Sequence, residues 1–394
     1  MPPQPSPAGG GPPELTRHTL THPGGRRLHV YGELRGRLDP SATPPAGPPE
    51  LHLRFDALTG AWIAVSPARN ARPQTKPQVG AAGGTTAPLC PLCPGGPELP
   101  FSYDAAVFEN RFPSLMAEPP PPPAGEDEIT ATTAPSTGRC EVVLYTEHHE
   151  GSLATLLPRE VLNLVAIWTD RSRELWAQDD IRAVLIFENR GEGVGATLSH
   201  PHGQIYAFDH LPEHIARRDQ RHHEHRREHG TCLGCQVVAV DAAADHRRVA
   251  TSEHFTVTVP FAPHWPYEVH VRARRHGARR LGDLTTAEQG DLAALLRDLV
   301  LRYDRLFDRE LPYMMVVQEG PEGASDWHLS FEFLPPHRGP DKLKIRASVE
   351  TAAGLFINDT LPETTAAALR AIEPPVTDWA GGVVPHVVAG QSSS

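Results

Sequence analysis

The chain has 394 residues, of which 39% are apolar and 22% charged, and a net charge of −11. That length exceeds one compact core and suggests about two domains, at roughly 100–200 residues each. The acidic balance disfavours nucleic-acid binding, because no basic excess exists to neutralise phosphates, and no apolar run approaches the ~20 residues of a membrane helix.

The N-terminal stretch MPPQPSPAGGGPPEL lacks the charged start and apolar centre of a signal peptide, so a cytoplasmic location is expected. Residues 1–50 are rich in proline and glycine and read as partly flexible. Two domains are expected over 51–215 and 216–372, and 373–394 reads as a tail.

An internal repeat fixes the architecture. The first copy opens on Cys90-Pro91-Leu92-Cys93 and continues with an alternating run over 140–153. A helical stretch over 158–175, a strand over 183–191, a glycine-rich turn and HPHGQIYAF over 200–208 complete it. Between these elements, the proline run and acidic residues of 118–135 read as a surface loop. The second copy opens on Cys232-Leu233-Gly234-Cys235 and repeats the order: a strand over 267–281, a helix over 285–307, YMMVVQEGPEG over 313–323 and WHLSFEFLP over 327–335. Period-two strands around one helix indicate an α+β unit with an antiparallel sheet, used twice.

Four of the five cysteines lie in the two C-x-x-C pairs, which in a reducing compartment read as metal ligands before disulfides. Cys90 and Cys93 are followed by His149 and His200, and Cys232 and Cys235 by His276 and His328. The two His–His gaps are 51 and 52 residues. Two thiolates and two imidazoles suit tetrahedral zinc, and four protein ligands leave no open position, so both zincs are expected to be structural. His148 is an alternative to His149, and His264 or His270 to His276. The tract RHHEHRREH over 221–229 reads as a solvated, mixed-charge helix face.

Gly191, Gly193 and Gly195 precede His200, His202 and Gln204, which strand alternation would place on one face. A neutral imidazole can attack phosphorus and form a transferable phosphoramidate, so His202 is the candidate nucleophile. In the second copy Ser330 stands where His202 stands in the first, so one half is expected to be active and the other inactive.

These segments resemble the galactose-1-phosphate uridylyltransferase family of the histidine-triad superfamily. The likeness rests on LTGAWIAVSPARNARP (58–73), CPLCPGG (90–96), VFENRFPSL (107–115), FENRG with SHPHGQ, PHWPYEV (263–269) and FINDTLPE (356–363). It implies two histidine-triad-like halves with antiparallel sheets and flanking helices, and a homodimer with sites near the interface. Arg69 and Arg72 match arginines near the substrate phosphates, Asn110 a nucleotide contact, Asn189 and Thr197 phosphate-loop positions, and Lys344 and Glu350 sugar-side positions. Gln204 matches the glutamine that contacts the transferred phosphoryl group; histidine-triad hydrolases have a histidine there, which favours transfer over hydrolysis. A second, iron-type site of some relatives maps onto Arg218, Gln318, Ser330 and Glu332, whose side chains do not suit it.

The expected activity is ping-pong uridylyl exchange between UDP-glucose and galactose 1-phosphate through uridylyl-His202, with structural zinc and no redox cofactor. An ADP- or UDP-sugar phosphorylase would share the first half-reaction. A zinc-stabilised nucleotide-binding protein without activity is the non-enzyme alternative.

Overall fold

The computed structural model describes residues 13–39, 50–72, 90–196, 198–375, 379 and 382–393. The chain begins with strands β1 (Glu14–Thr21), β2 (Arg27–Tyr31), β3 (His52–Asp56), β4 (Ala61–Val65), β5 (Ala105–Glu109), β6 (Thr133–Ala134) and β7 (Gly138–Leu144). Helix α1 (Pro158–Trp176), β8 (Ala183–Arg190), β9 (His202–Phe208), α2 (Glu213–His229) and α3 (Leu233–Ala243) follow. Next come β10 (Arg248–Thr251), β11 (Phe255–Thr258), β12 (Val269–Ala273), α4 (Thr286–Leu306), β13 (Tyr313–Gln318), β14 (Ser330–Leu334), β15 (His337–Gly339) and β16 (Lys342–Leu343). The last elements are α5 (Ser348–Ala352), α6 (Pro362–Ala371) and β17 (His386–Ser393).

The two copies are not separate sheets. They share one sheet in the order β10-β11-β12-β14-β13-β8-β9-β7-β5-β2-β1-β17, joined where β8 and β13 pair antiparallel. Outward from that seam, β8-β9-β7-β5 on one side mirrors β13-β14-β12-β11 on the other. In chain order each half is a strand pair, a helix and a strand pair, which is the duplicated α+β unit.

Helices α1 and α4 pack against each other, and their apolar faces join one core cluster with the sheet. Val161, Leu164, Val165, Trp168 and Leu175 recur at helical spacing on α1, as do Leu292, Leu296, Leu299 and Tyr303 on α4, and all are buried. Sequence sets both helix starts. Pro158 fills the first helical position of α1, and Glu160 accepts the Leu157 N–H at 2.7 Å. Thr285 and Glu288 cap α4 reciprocally, a capping box.

The ends of the chain differ from expectation. Glu14–Thr21 and Arg27–Tyr31 extend the sheet, and His386–Ser393, expected in a tail, pairs parallel with β1. Their alternation is short and lies among prolines and glycines, which masks it in the sequence. Arg17 from β1 reaches Asp170 on α1 at 2.9 Å, and Tyr31 from β2 donates to the same carboxylate at 2.7 Å. Among the described residues, no helix is long and apolar enough to cross a membrane.

Arg171 of α1 is fully buried and meets Glu141 of β7 through two bonds, at 3.0 and 2.7 Å. Burial alone would weaken its charge, and the carboxylates of Glu141 and Glu174 reverse that. Removing one partner of a buried pair costs about 3–5 kcal/mol when the other charge is left uncompensated, and Glu174, 2.8 Å from Arg171, would keep part of the compensation here. Glu141→Ala should therefore lower unfolding free energy by the bottom of that range, about 3 kcal/mol, in denaturant titration. A loss below about 1 kcal/mol would show that the pair does not hold α1 to the sheet.

Candidate active site and metal centres

The two Cys/His groups assemble as the spacing predicts. The ligand atoms of Cys90, Cys93, His149 and His200 lie within 4.8 Å of one another, as do those of Cys232, Cys235, His276 and His328. Cys93 Sγ stands 3.4 Å from His149 Nδ1 and 3.6 Å from His200 Nδ1. Cys235 Sγ stands 3.5 Å from His276 Nδ1 and 3.4 Å from His328 Nε2, and Cys232 Sγ lies 3.7 Å from the same Nε2. With zinc–sulfur near 2.3 Å and zinc–nitrogen near 2.05 Å, a tetrahedron has S···N edges of roughly 3.6 Å. The separations are those edges, so the donor sets fit zinc.

The far ring nitrogens are also fixed. His200 Nε2 bonds the Thr146 carbonyl at 2.9 Å, which turns Nδ1 to the thiols. His328 Nδ1 bonds the Ala273 carbonyl at 2.9 Å, which turns Nε2 to its thiols. Each carbonyl fixes the tautomer that a metal requires. The alternatives fall away: His270 is held between Glu268 and Arg272, and His264 packs on Phe356. His148 is absent from the cluster that His149 joins. Burial pushes the thiols of Cys93 and Cys235 up to about 11, a cost that a dication would offset by holding the thiolates.

His202 opens β9 and lines a pocket of about 160 Å³ with Asn189, Gly191, Glu192, Ser199 and Pro312. Its Nδ1 lies 2.7 Å from the His200 carbonyl oxygen. A carbonyl can only accept, so Nδ1 carries the proton and Nε2 keeps its lone pair. Burial, with the positive Arg72 nearby, lowers the His202 pKa and favours this neutral form. His200 does not share the His202 face as alternation would have it. It precedes the strand and is buried, with its ring turned to the cysteines.

The strand between His202 and Gln204 is tightly backed. A Cβ at Gly203 would lie 2.5 Å from the Tyr145 hydroxyl and 3.0 Å from the Phe187 carbonyl. Tyr145 and Tyr313 each donate to buried Glu188, both at 3.1 Å, and burial pushes that carboxyl up to about 7. Before this strand, the glycine turn passes Pro312 so closely that a Cβ at Gly191 (φ 88°) would lie 2.9 Å from it.

The remaining predicted residues divide. Arg69 lies within a 3₁₀ turn over Pro67–Ala71 and Arg72 follows its end, and Arg69 Nη1 donates to Ser114 Oγ at 2.8 Å and Tyr206 Oη at 3.2 Å. Asn110 caps the neighbouring loop, accepting the Phe112 N–H at 2.8 Å. Gln204 lies opposite Phe187 and Val142 on the partly exposed side of β9. Thr197 lies outside the described residues. Lys344 and Glu350 pair with each other at 2.8 Å, beside Trp265, and do not line the His202 pocket. Sequence reasoning passes over Ser114, Glu188 and Tyr206, although alternation from His202 through Gln204 points to Tyr206.

The second half has the same frame with serine in the place of His202. Ser330 opens β14 two residues after His328, as His202 opens β9 two residues after His200. Glu332 stands where Gln204 does, and it accepts from Arg218 of α2 at 2.8 Å and from Gln318 at 3.1 Å. Arg218 and His222 of α2 also pack on Trp327, so one side of the histidine-rich helix is docked rather than solvated.

Two family models cover most of the chain: the galactose-1-phosphate uridyl transferase N-terminal domain matches residues 49–212 and the C-terminal domain residues 217–378. A galactose-1-phosphate uridylyltransferase of Thermotoga maritima is 39% identical over 327 residues, covering 82% of this chain and 99% of that protein. The enzyme of Rattus norvegicus is 32% identical, covering 82% and 87%. A solved uridylyltransferase superposes with a TM-score of 0.71 at 30% identity, covering 81% of this chain and 97% of that one. An ADP-glucose phosphorylase from Arabidopsis thaliana shares the fold, with a TM-score of 0.61 at 23% identity over 82% and 100% of the two chains. The chain belongs to the galactose-1-phosphate uridylyltransferase family.

Proposed function

We propose that this chain exchanges a uridylyl group between UDP-glucose and galactose 1-phosphate through a covalent uridylyl-His202. The observation that carries the reading is the His202 Nδ1 bond to the His200 carbonyl, which leaves a neutral Nε2 as the free nucleophile beside the pocket. In the first half-reaction Nε2 bonds the α-phosphorus and the bond to the leaving glucose 1-phosphate oxygen breaks. In the second, a phosphate oxygen of galactose 1-phosphate attacks, the N–P bond breaks, and UDP-galactose leaves. No proton needs to move at Nδ1 in either step. Gln204 donates to a phosphoryl oxygen, and Arg69 and Arg72 offset the charge that spreads over the others. Asn110, Asn189 and Thr197 bind the nucleotide and its phosphates.

Zinc in the two Cys₂His₂ groups supplies structure rather than chemistry. His200 joins the first group to the reacting strand. Lys344 and Glu350 serve the sugar side in a homodimer. Ile345, Val349, Leu355, Ile357 and Leu361 around them are exposed apolar side chains that a second copy would cover. A cytoplasmic enzyme follows, since the thiols must stay reduced to hold metal.

Elemental analysis of protein purified without chelator should give close to two zincs per chain, and Cys93→Ser should lose about one of them. Protein free of zinc yet fully folded would overturn the assignment. His202→Gly should abolish both half-reactions while leaving zinc content unchanged. Wild-type protein incubated with UDP-glucose should carry an acid-labile nucleotidyl adduct on His202. Ping-pong exchange retained by His202→Gly would end the covalent reading.

A further inference from the structure

We propose that Tyr206, with Ser114, is a positioning residue that aims Arg69, and through it Arg72, at the reacting phosphate. The inference rests on the reading that these arginines meet the phosphates. The turn over Pro67–Ala71 buries none of its residues, so packing does not hold it. Its ties to the described chain are polar. Ser66 Oγ donates to the Pro113 carbonyl at 3.0 Å, and Arg69 Nη1 meets the Phe112 carbonyl at 3.3 Å, Ser114 Oγ at 2.8 Å and Tyr206 Oη at 3.2 Å. The two hydroxyls lie 3.5 Å apart and form one clamp.

Tyr206 is two residues past Gln204 and four past His202, on the same partly exposed face of β9. The clamp thus ties the arginine turn to the strand that carries the nucleophile. Nη1 shares its two N–H among these three acceptors, so among the described residues Nε and Nη2 are left for phosphate oxygens. Arg72 leaves the turn in an extended conformation, and its N–H bonds the Arg69 carbonyl at 3.3 Å. Fixing Arg69 therefore also sets Arg72, whose charge bears on His202.

The clamp acts by hydroxyl rather than by carboxylate. A carboxylate would hold Arg69 more strongly but would cancel the charge that the phosphate needs. Neutral acceptors orient the guanidinium and leave its charge for the substrate.

Tyr206→Phe keeps the edge-on packing against Phe187 (5.2 Å, 69°) and removes only the hydroxyl. It should lower kcat/KM for UDP-glucose roughly 10-fold, as expected for a lost bond to a charged group, with a change in melting temperature too small to explain it. Calorimetry on the His202→Gly protein, where no chemistry can occur, should show UDP-glucose binding weakened several-fold by the same change. The signature of positioning is non-additivity: in an Arg69→Lys background, Tyr206→Phe should cost less than about twofold. A Tyr206→Phe protein within twofold of wild type in both exchange and binding would overturn the proposal, and so would an equal loss with and without Arg69. Failure of the covalent mechanism would show separately, as a wild-type protein without adduct, and would leave the binding test standing.

Discussion

The carbonyl of His200 accepts the Nδ1 proton of His202 at 2.7 Å, while the ring of His200 reaches Cys93 on one edge and the Thr146 carbonyl on the other. One residue therefore joins the cysteine knuckle, the loop after β7 and the tautomer of His202. Neutral imidazole has one donor and one acceptor nitrogen, and an acceptor fixed on Nδ1 selects the tautomer with a basic Nε2. The position of that carbonyl depends on where the His200 ring is held. On the proposed reading, a metal that performs no chemistry still decides whether the nucleophile is correctly formed.

The duplicated frame shows what else the chemistry requires. Both halves place a histidine beside two cysteines and open a strand two residues later. In the second half that strand begins with buried Ser330, and Arg218 of α2 lies across Glu332. The ion pair holds Glu332 well below the usual carboxylate range, at about 2, against a burial that would raise it. The surface that remains partly open in the first half is closed here by an internal ion pair and a covering helix. The second half thus contributes strands, core and a second Cys/His group, with Ser330 where the first half has His202.

Much of this was legible in the sequence because it is written in local patterns. The C-x-x-C knuckles, the matched histidine gaps and the two amphipathic helices gave the duplicated α+β unit. Position decided what pattern left open: His149 over His148 and His276 over His270 depend on which ring the backbone turns to the thiols. The single shared sheet was not legible, because the β8–β13 pairing joins segments more than a hundred residues apart by edges that either half could have presented to solvent. Strands β1, β2 and β17 were hidden by proline- and glycine-rich surroundings. The Lys344–Glu350 pair shows the limit of residue matching, since correspondence names the residues but not whether one chain brings them to the pocket.

The electrostatics of the first half follow from these positions. Arg69 and Arg72 are neighbours, and the guanidinium of Arg72 is weakened by burial and then by Arg69, which means that the free site holds like charges close together. Such proximity is unfavourable without a ligand and persists only because other interactions fix it. The hydroxyl clamp fixes Arg69 without neutralising it, and the neutral form of His202 avoids a third positive charge. On the proposed reading, a phosphate that meets these arginines relieves the repulsion, and relieves it most when charge on the phosphoryl oxygens is greatest. On that reading the attraction grows along the reaction coordinate, as catalysis requires. A protonated His202 would bind the same phosphate well and could not attack it, which is why the His200 carbonyl and the arginine turn have to act together.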